Sequence, residues 1–394
     1  MRIAFDGVRL SKKPMGVTNI AISIINSYAR LFPDYELYIL MNGPLHPEVK
    51  ARLVDSPNIR IVNRPLPLFS SIGFLWSILR FNKLLREIKP DMLIAPNFFV
   101  VTWFFPADIK LVLYVHDMVY KEYRSTMQTI TRTQMDLFFE SSLRRADMIW
   151  FNSDYTRQAF AQHYPDLALR KRQFTGAGIN PVFLHRAQSA DSRTIPNPFH
   201  VRTGKRSDYI LFVGTVEPRK NLQYLLRLFR QLPRGRHELV IVGDPGWGDM
   251  RKKIDTILAE ENYPASHVHF MGYVSDDELI ALYRDAAVFI STSVNEGLGL
   301  PQLEAMACGS PVICPHNSAM IEVVEGAGLT VRDWNEQTWI DAIEKVLQHR
   351  PHYIQAGFDR VRTYHWDHIV PALHNNLVGP QPVSSHSNIL EPCN

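Results

Sequence analysis

Residues 295–309 read Asn295-Glu296-Gly297-Leu298-Gly299-Leu300-Pro301-Gln302-Leu303-Glu304-Ala305-Met306-Ala307-Cys308-Gly309. They follow the apolar run 287–290, which is typical of a buried parallel strand. Two glycines then turn the chain, Pro301 suits the first position of a helix, and Gly309 suits the residue after its end. The stretch therefore predicts a strand, a glycine loop and a short helix, the repeating unit of an α/β fold.

Two carboxylates remain in this stretch once the apolar helix face is assigned to the core. Glu296 lies in the turn at the carboxyl end of the strand, and Glu304 lies in the first turns of the helix. Ligands of open α/β sheets bind at that edge, glycine lets backbone approach them closely, and a helix N-terminus favours negative charge. These features suit a nucleotide sugar. The plainer interpretation is an acidic helix start and a solvated loop carboxylate.

The run 296–313, with its Glu-x7-Glu pair, resembles the signature of the retaining family 4 glycosyltransferases. The resemblance implies the GT-B fold, in which two Rossmann-like α/β domains face each other across a cleft and a C-terminal helix crosses back to the first domain. It also implies that Glu304 binds the ribose hydroxyls of a nucleoside diphosphate sugar and that Glu296 lies near the hydroxyls of the sugar. The backbone implied to position that sugar belongs to Gly297, Leu298, Gly299 and Leu300.

A second group of polar residues follows the apolar strand 209–213. Arg219 and Lys220 stand at the carboxyl end of this strand, and Asn221 suits the N-cap of the helix that follows. Two cations in this position can neutralise a diphosphate, and arginine can bind it through two hydrogen bonds. A solvated Arg-Lys turn is the alternative, but the family has Arg-Lys-Asn in the same place. Tyr273 and Val274 follow another strand, where family members hold the nucleotide base.

The first half of the chain also alternates strands with amphipathic helices. The strand 2–5 is followed by a loop and by Gly16, which precedes a helix, and this layout handles phosphate in many proteins. Family members usually have two adjacent glycines here, whereas this chain has Met15-Gly16. Gly16 therefore either contacts the nucleotide sugar or is only a turn glycine.

The continuous apolar run 111–115 predicts a central strand that delivers His116 and Asp117 to the same functional edge. A histidine at a strand end is often structural. The resemblance implies instead that this His-Asp pair lines the acceptor side of the cleft. Ser153, which starts a helix after the strand 148–151, is interpreted as an N-cap.

Two segments are unusually apolar for loops, namely 66–75 and 97–106. They are either parts of the core or an exposed surface for a lipid-linked acceptor or the membrane interface.

Composition limits the class of protein. The chain has 394 residues, a net charge of +4 and three cysteines. We expect two domains, no nucleic-acid partner, no disulfide framework and no bound metal or cofactor. The N-terminus enters a strand without a signal peptide, and no apolar run reaches the length of a membrane span, so a cytoplasmic location is expected, with peripheral contact at the inner membrane face.

The predicted organisation is an acceptor-side domain over 1–185, a linker over 186–208 and a nucleotide-sugar domain over 209–360. A cross-over helix is expected over 361–378 and a disordered tail over 379–394.

The sequence looks most like bacterial O-antigen and surface-polysaccharide mannosyltransferases. This resemblance implies transfer of a hexose from GDP-mannose to an oligosaccharide carried on a lipid. A nucleotide-sugar epimerase of the same fold and a non-catalytic sugar-nucleotide-binding protein are the alternatives. A glycosidase also uses two carboxylates but does not need the Arg-Lys pair, and a dehydrogenase is disfavoured because no Gly-x-Gly-x-x-Gly follows the first strand.

Overall fold

The computed structural model describes residues 1–66, 73–185, 194–233, 235–244, 250–261 and 263–379. The chain forms two compact units. The first unit contains Met1–Glu122, Thr129–Gly178 and the segment from Tyr364 onward, and the second contains Tyr123–Gln128 and Ile179–Thr363. The predicted tail beyond residue 379, positions 186–193 of the predicted linker and positions 67–72 of the first apolar loop lie outside the described residues.

The first unit is built on a parallel sheet whose described strands lie in the order β3-β2-β1-β4-β5-β6-β7. The middle strands are buried on both faces, as expected for a parallel sheet covered by helices. The strands are β1 (Arg2–Asp6), β2 (Glu36–Met41), β3 (Ile59–Asn63), β4 (Met92–Ala95), β5 (Lys110–Val115), β6 (Met148–Phe151) and β7 (Arg172–Thr175).

Helices flank this sheet, and the longer ones bury an apolar stripe. In α1 (Gly16–Leu31) the residues at helical spacing, such as Ile20, Ile24 and Tyr28, are buried. The other helices before residue 178 are α2 (Pro47–Arg52), α3 (Gly73–Trp76), α4 (Asn82–Ile88), α5 (Val119–Glu122), α6 (Thr129–Arg145), α7 (Asp154–His163) and α8 (Pro165–Arg170). A π-helical turn, Ser77–Phe81, joins α3 to α4, and Ser153 caps α7 as predicted, accepting a hydrogen bond from the Thr156 N–H at 3.0 Å.

The second unit is built on a parallel sheet whose described strands lie in the order β10-β9-β8-β11-β12-β13. They are β8 (Tyr209–Val213), β9 (Glu238–Val242), β10 (Val268–Gly272), β11 (Val288–Ile290), β12 (Val312–Pro315) and β13 (Leu329–Val331). The helices are α9 (Pro181–His185), α10 (Pro198–Thr203), α11 (Leu222–Gln231), α12 (Met250–Leu258), α13 (Asp276–Asp285), α14 (Leu300–Ala307), α15 (Met320–Val324), α16 (Glu336–Gln348) and α17 (Arg350–Val361).

The last helix, α18 (Trp366–Val378), belongs to the first unit and packs against α1. Asp367 accepts hydrogen bonds from the Ser27 hydroxyl at 2.7 Å and the Arg30 guanidinium at 2.8 Å. Trp366 is fully buried against Trp150, and a Cβ added to Gly178 would lie 2.6 Å from the Trp366 ring. The C-terminal helix therefore packs closely into the first unit, although it follows the second unit in sequence.

Both units are built on Rossmann-like parallel sheets, as the sequence predicted, so the α/β fold class is confirmed. In each sheet the strand order reverses at one point, between β1 and β4 in the first unit and between β8 and β11 in the second. Loops from adjacent strands diverge there and leave a crevice at the carboxyl edge, where open α/β sheets bind ligands.

The structure differs from three local predictions. The segment predicted as a linker, 186–208, contains α10, and the division between the units lies at Gly178 rather than at residue 185. Asn221 stands before α11 as expected, but its backbone is left-handed, with φ +49°, and its side chain makes no capping hydrogen bond. Among the helices of the described residues, none is long and apolar enough to cross a membrane.

Candidate functional site

The loop after β11 carries the glycine and glutamate motif. Gly299, with φ +103°, immediately precedes α14, and a Cβ there would lie 3.0 Å from the Gln302 side chain. Glycine is therefore required for this sharp entry into the helix. Leu303 and Met306, on the apolar face of this helix, are buried in the core, and Leu298 is buried in the loop.

Glu296 is the centre of an ion-pair cluster. Its carboxylate accepts hydrogen bonds from Lys220 Nζ at 2.5 Å and from Arg219 Nη1 at 2.9 Å. Arg219 also donates to the Glu217 carboxylate at 2.6 Å. The side chains of Arg219, Lys220 and Glu296 are 17%, 11% and 11% exposed. Two cations and two carboxylates thus neutralise one another in a largely desolvated cluster.

The charge state of Glu296 follows from this environment. Burial by itself would raise the pKa of the Glu296 carboxyl, but the charges of Lys220 and Arg219 outweigh burial and lower the pKa to about 2. Glu296 is therefore ionised at neutral pH.

Backbone hydrogen bonds hold the Arg-Lys turn against the loop after β11. The Thr292 hydroxyl donates to the Lys220 carbonyl at 2.9 Å, and the Val294 N–H donates to the Arg219 carbonyl at 2.9 Å. Arg219 and Lys220 lie in a 3₁₀ turn, Pro218–Lys220, directly before α11. The two loops that flank the reversal of strand order are thereby joined.

Ser318, which was not among the predicted site residues, holds Glu296 from the loop after β12. The Glu296 N–H donates to the Ser318 hydroxyl at 3.0 Å, and the Ala319 N–H donates to the Glu296 carbonyl at 3.3 Å. Ser318 has a left-handed backbone with φ +50°. Its position after the strand next to β11 was the available signal.

Glu304 lies on α14 and has the opposite electrostatic character. Its carboxyl accepts a hydrogen bond from the buried Tyr283 hydroxyl at 3.2 Å. Burial, together with a smaller effect of the Asp276 charge, raises the pKa of Glu304 to about 8, because the Tyr283 hydrogen bond and the Lys220 charge compensate it only in part. Glu296 and Glu304 therefore differ in protonation at neutral pH.

Two further glycines shape the crevice. Gly243, with φ +140°, follows β9, and a Cβ there would lie only 2.1 Å from the Gly214 carbonyl oxygen after β8. A Cβ on Gly214 would contact the Lys220 side chain at 3.4 Å. Close approach of the two backbones therefore depends on glycine. Following β10, Tyr273 is 41% exposed and Val274 is buried.

The first unit carries His116 and Asp117 at the end of β5. The His116 ring is buried, and its Nε2 lies 2.7 Å from the Pro96 carbonyl oxygen, so Nε2 carries the hydrogen. Burial lowers the pKa of His116 to about 4, which keeps the ring neutral at physiological pH. Asp117 accepts a hydrogen bond from the Val119 N–H at 3.0 Å. Gly16 is exposed at the start of α1, with open space around it.

The apolar loop 97–106 is divided between core and surface. Val100 and Val101 are buried, whereas Trp103 is 50% and Phe104 is 72% exposed. Hydrogen bonds from the Asn82 side chain to the Trp103 carbonyl and from Arg86 to the Phe104 carbonyl, each 2.6 Å long, fix the tip of the loop on α4.

Comparison with known proteins identifies the family and the fold. The family model described as glycosyltransferase family 4 matches residues 15–172, and the one described as glycosyl transferases group 1 matches residues 196–357. The O-antigen chain mannosyltransferase B of Escherichia coli is 42% identical over 140 residues, which span 34% of this chain and 34% of that protein. The chain thus matches about a third of the length of that curated relative.

Solved structures share the fold along nearly the whole chain. Sucrose-phosphate synthase from Thermosynechococcus elongatus has a TM-score of 0.72 at 19% identity, covering 95% of this chain and 97% of that one. Anabaena HepE in complex with UDP-glucose has a TM-score of 0.70 at 18% identity, covering 96% and 99%.

The two parallel sheets, the structural neighbours and the family matches define a GT-B protein. The chain belongs to the family 4 glycosyltransferases.

Proposed function

We propose that the protein is a retaining glycosyltransferase that transfers mannose from GDP-mannose to a lipid-linked oligosaccharide during synthesis of a bacterial surface polysaccharide. The observation that carries this proposal is the cluster of Glu296, Arg219 and Lys220, which lies at the carboxyl ends of β8 and β11 where the strand order reverses. Nucleotide ligands of open α/β sheets bind at such points.

The departing diphosphate gains negative charge in the transition state and needs preorganised positive charge. Arg219 and Lys220 supply two cations without a metal ion, held in position by the Glu217 and Glu296 carboxylates. A bound diphosphate would redistribute their hydrogen bonds, because both cations already have partners.

The two glutamates take separate roles in the proposal. Glu296, ionised at neutral pH, accepts hydrogen bonds from sugar hydroxyls beside the backbone of residues 297–300. Glu304 binds the ribose hydroxyls of the nucleotide, and because its pKa is about 8, donor binding would favour loss of its proton. Gly16, Tyr273 and Val274 are proposed as further donor contacts.

His116 and Asp117 are proposed on the acceptor side. The His116 ring is neutral, and its Nε2 donates to the Pro96 carbonyl. Its Nδ1 can therefore accept a hydrogen bond from a hydroxyl of the acceptor sugar. In retaining enzymes of this kind the leaving phosphate itself can take the acceptor proton, so no protein nucleophile is required.

The choice of mannose and of a lipid-linked acceptor rests on the Escherichia coli O-antigen mannosyltransferase, to which this chain is similar. The exposed Trp103 and Phe104 and the net charge of +4 support peripheral contact with an anionic membrane surface at the cytoplasmic face.

The test is a thermal-shift panel of GDP-mannose, UDP-glucose and UDP-N-acetylglucosamine on the wild type and on Glu304→Ala. A ligand present at about 100 times its dissociation constant adds about 2.7 kcal/mol of stability. We expect GDP-mannose alone to stabilise the wild type and this effect to disappear in Glu304→Ala. A flat panel would overturn the proposal.

Turnover then separates the remaining alternatives. A transferase consumes the donor only when an acceptor is present, and the product keeps the anomeric configuration of the donor. Isomerisation of the donor without acceptor would identify an epimerase, and binding without consumption would identify a binding protein.

A further inference from the structure

A polar cluster in the first unit has no role in the donor site proposed above. It lies at the reversal of strand order between β1 and β4. Asp6 ends β1, Arg9 lies in the 3₁₀ turn Val8–Ser11 that follows, and Asn97 and Phe98 follow β4. His116 follows the adjacent strand β5. This edge is the position at which the fold predicts a ligand.

Arg9 is held by an aromatic ring. Its guanidinium carbon lies 5.9 Å from the centre of the Phe98 ring, and the Phe98 ring centre lies 5.1 Å from that of His116. A ring face orients a guanidinium while leaving its N–H groups available to bind an oxyanion. Phe98 therefore contacts both Arg9 and His116.

Arg9 has no directly paired carboxylate among the described residues, although the charge of Asp6 acts on it. Asp6 is the acid whose charge acts on it, but Asp6 accepts the Val8 N–H at 3.2 Å and a hydrogen bond from the Asn97 side chain. In the part of the chain that the structure describes, no carboxylate forms an ion pair with Arg9. Arg9 as a residue is exposed, while partial burial of its guanidinium lowers the pKa of that group, and the guanidinium N–H groups can donate to an anion.

The surrounding chain is cationic as well. No Asp or Glu occurs from Gly7 to Pro33, whereas Lys12 and Lys13 follow Arg9. The helix α1 begins at Gly16 with no acidic residue in its first turn and no side-chain cap. These features raise the positive potential around Arg9.

We infer that Arg9 binds a phosphate group of the acceptor. This inference rests on the proposed function, which assigns His116 to the acceptor sugar. The donor diphosphate has its own cations, Arg219 and Lys220, in the second unit. An acceptor whose sugar lies at His116 and whose phosphate lies at Arg9 has the chemistry of a glycosyl phosphate or diphosphate carried on a lipid.

The first experiment measures binding and needs no catalysis. Line broadening in the ³¹P spectrum of inorganic pyrophosphate is recorded with GDP saturating the donor site. We expect wild type to bind pyrophosphate under these conditions and Arg9→Gln to bind it at least tenfold more weakly. The control is Arg170→Gln, since Arg170 is an exposed arginine at the end of α8 in the same unit. Equal binding by wild type and Arg9→Gln, or no binding by either, would overturn the inference.

The second experiment uses two acceptors with the same sugar, an alkyl mannosyl diphosphate and octyl mannoside. Arg9→Gln should raise KM for the diphosphate at least tenfold, leave kcat and the KM for octyl mannoside unchanged, and be partly rescued in Arg9→Lys. A rise in the KM for the donor instead would assign Arg9 to the donor diphosphate and refute an acceptor role. If wild type transfers mannose to neither acceptor, the proposed function fails. The pyrophosphate experiment then still shows whether Arg9 binds an anion.

Discussion

Lys220 and Glu296 lie on loops from two neighbouring strands, β8 and β11, and form an ion pair of 2.5 Å in which each side chain is 11% exposed. Their attraction joins the two loops that flank the crevice. Because the pair is largely removed from water, loss of one partner leaves an uncompensated charge, which costs far more than loss of a surface ion pair.

Replacement of Glu296 by Gln should lower turnover at least about tenfold, because charge preorganised at a reaction centre accounts for effects of this size or larger. It should also reduce the free energy of unfolding by about 1–3 kcal/mol, since Arg219 and Lys220 lose a buried charged acceptor. Initial rates, measured below the melting temperature of the variant, separate the two effects. The exposed Glu325 provides the control Glu325→Gln, and near-normal activity of Glu296→Gln would reject the assigned role.

The ionisation of Glu304 should make stability depend on pH. Its folded pKa of about 8 lies above the ordinary value of 4.5, so the folded state holds a proton that the unfolded state has lost. Stability from this group is complete below pH 4.5 and is lost as pH rises through 8. The free energy of unfolding of Glu304→Gln should not show this decrease with pH.

Denaturant unfolding of wild type and Glu304→Gln at pH 6.5, 7.5 and 8.5 checks this prediction. Taking the difference between the two proteins removes the contributions of His116 and His374, whose pKa values are lowered to about 4 by burial. A difference that stays constant over this range would show that Glu304 is ionised throughout.

Substitution of Gly243 by Ala should destabilise the second unit. The new Cβ would overlap the Gly214 carbonyl oxygen, and φ of +140° is strained for any residue with a side chain. We expect a loss on the order of 2–4 kcal/mol, combining backbone strain and overpacking. Gly16→Ala is the matched control because its Cβ would meet open space. Equal thermal stability of the two variants would contradict the close approach of the β8 and β9 loops.

The exposed aromatic pair in the loop 97–106 should contribute to membrane affinity. The double variant Trp103→Ser and Phe104→Ser should bind anionic phospholipid vesicles about tenfold more weakly, because interfacial binding scales with buried apolar area. Co-sedimentation measures the bound fraction. Leu169→Ser is the control, since Leu169 is 87% exposed in the same unit. Unchanged vesicle binding by the double variant would reject the proposed contact with the membrane.

The local features of the fold were predictable because they depend on short stretches. Continuous apolar runs such as 209–213 and 111–115 are buried parallel strands, and Ser153 caps the helix that follows it. The motif at 296–313 also identified the family, and the comparisons confirm it. The roles assigned to individual site residues stay predictions.

Long-range partners were not predictable in the same way. Ser318 and Tyr283 bind site residues only because the sheet sets particular strands side by side. A single sequence does not encode that register in a local pattern. The protonation states of Glu296 and Glu304 likewise depend on tertiary neighbours. Lys220 and Arg219 keep Glu296 ionised, whereas Glu304 is buried with the Tyr283 hydroxyl as its hydrogen-bond partner.

The return of α18 to the first unit has a consequence for synthesis on the ribosome. Ser27, Arg30 and Tyr35 are made early, yet their partners Asp367 and His374 leave the exit tunnel only after the whole second unit. The second unit can therefore complete its contacts while the first still lacks a helix. Nascent chains arrested before residue 364 should expose the α1 surface to chaperones, and that exposure should end when α18 emerges.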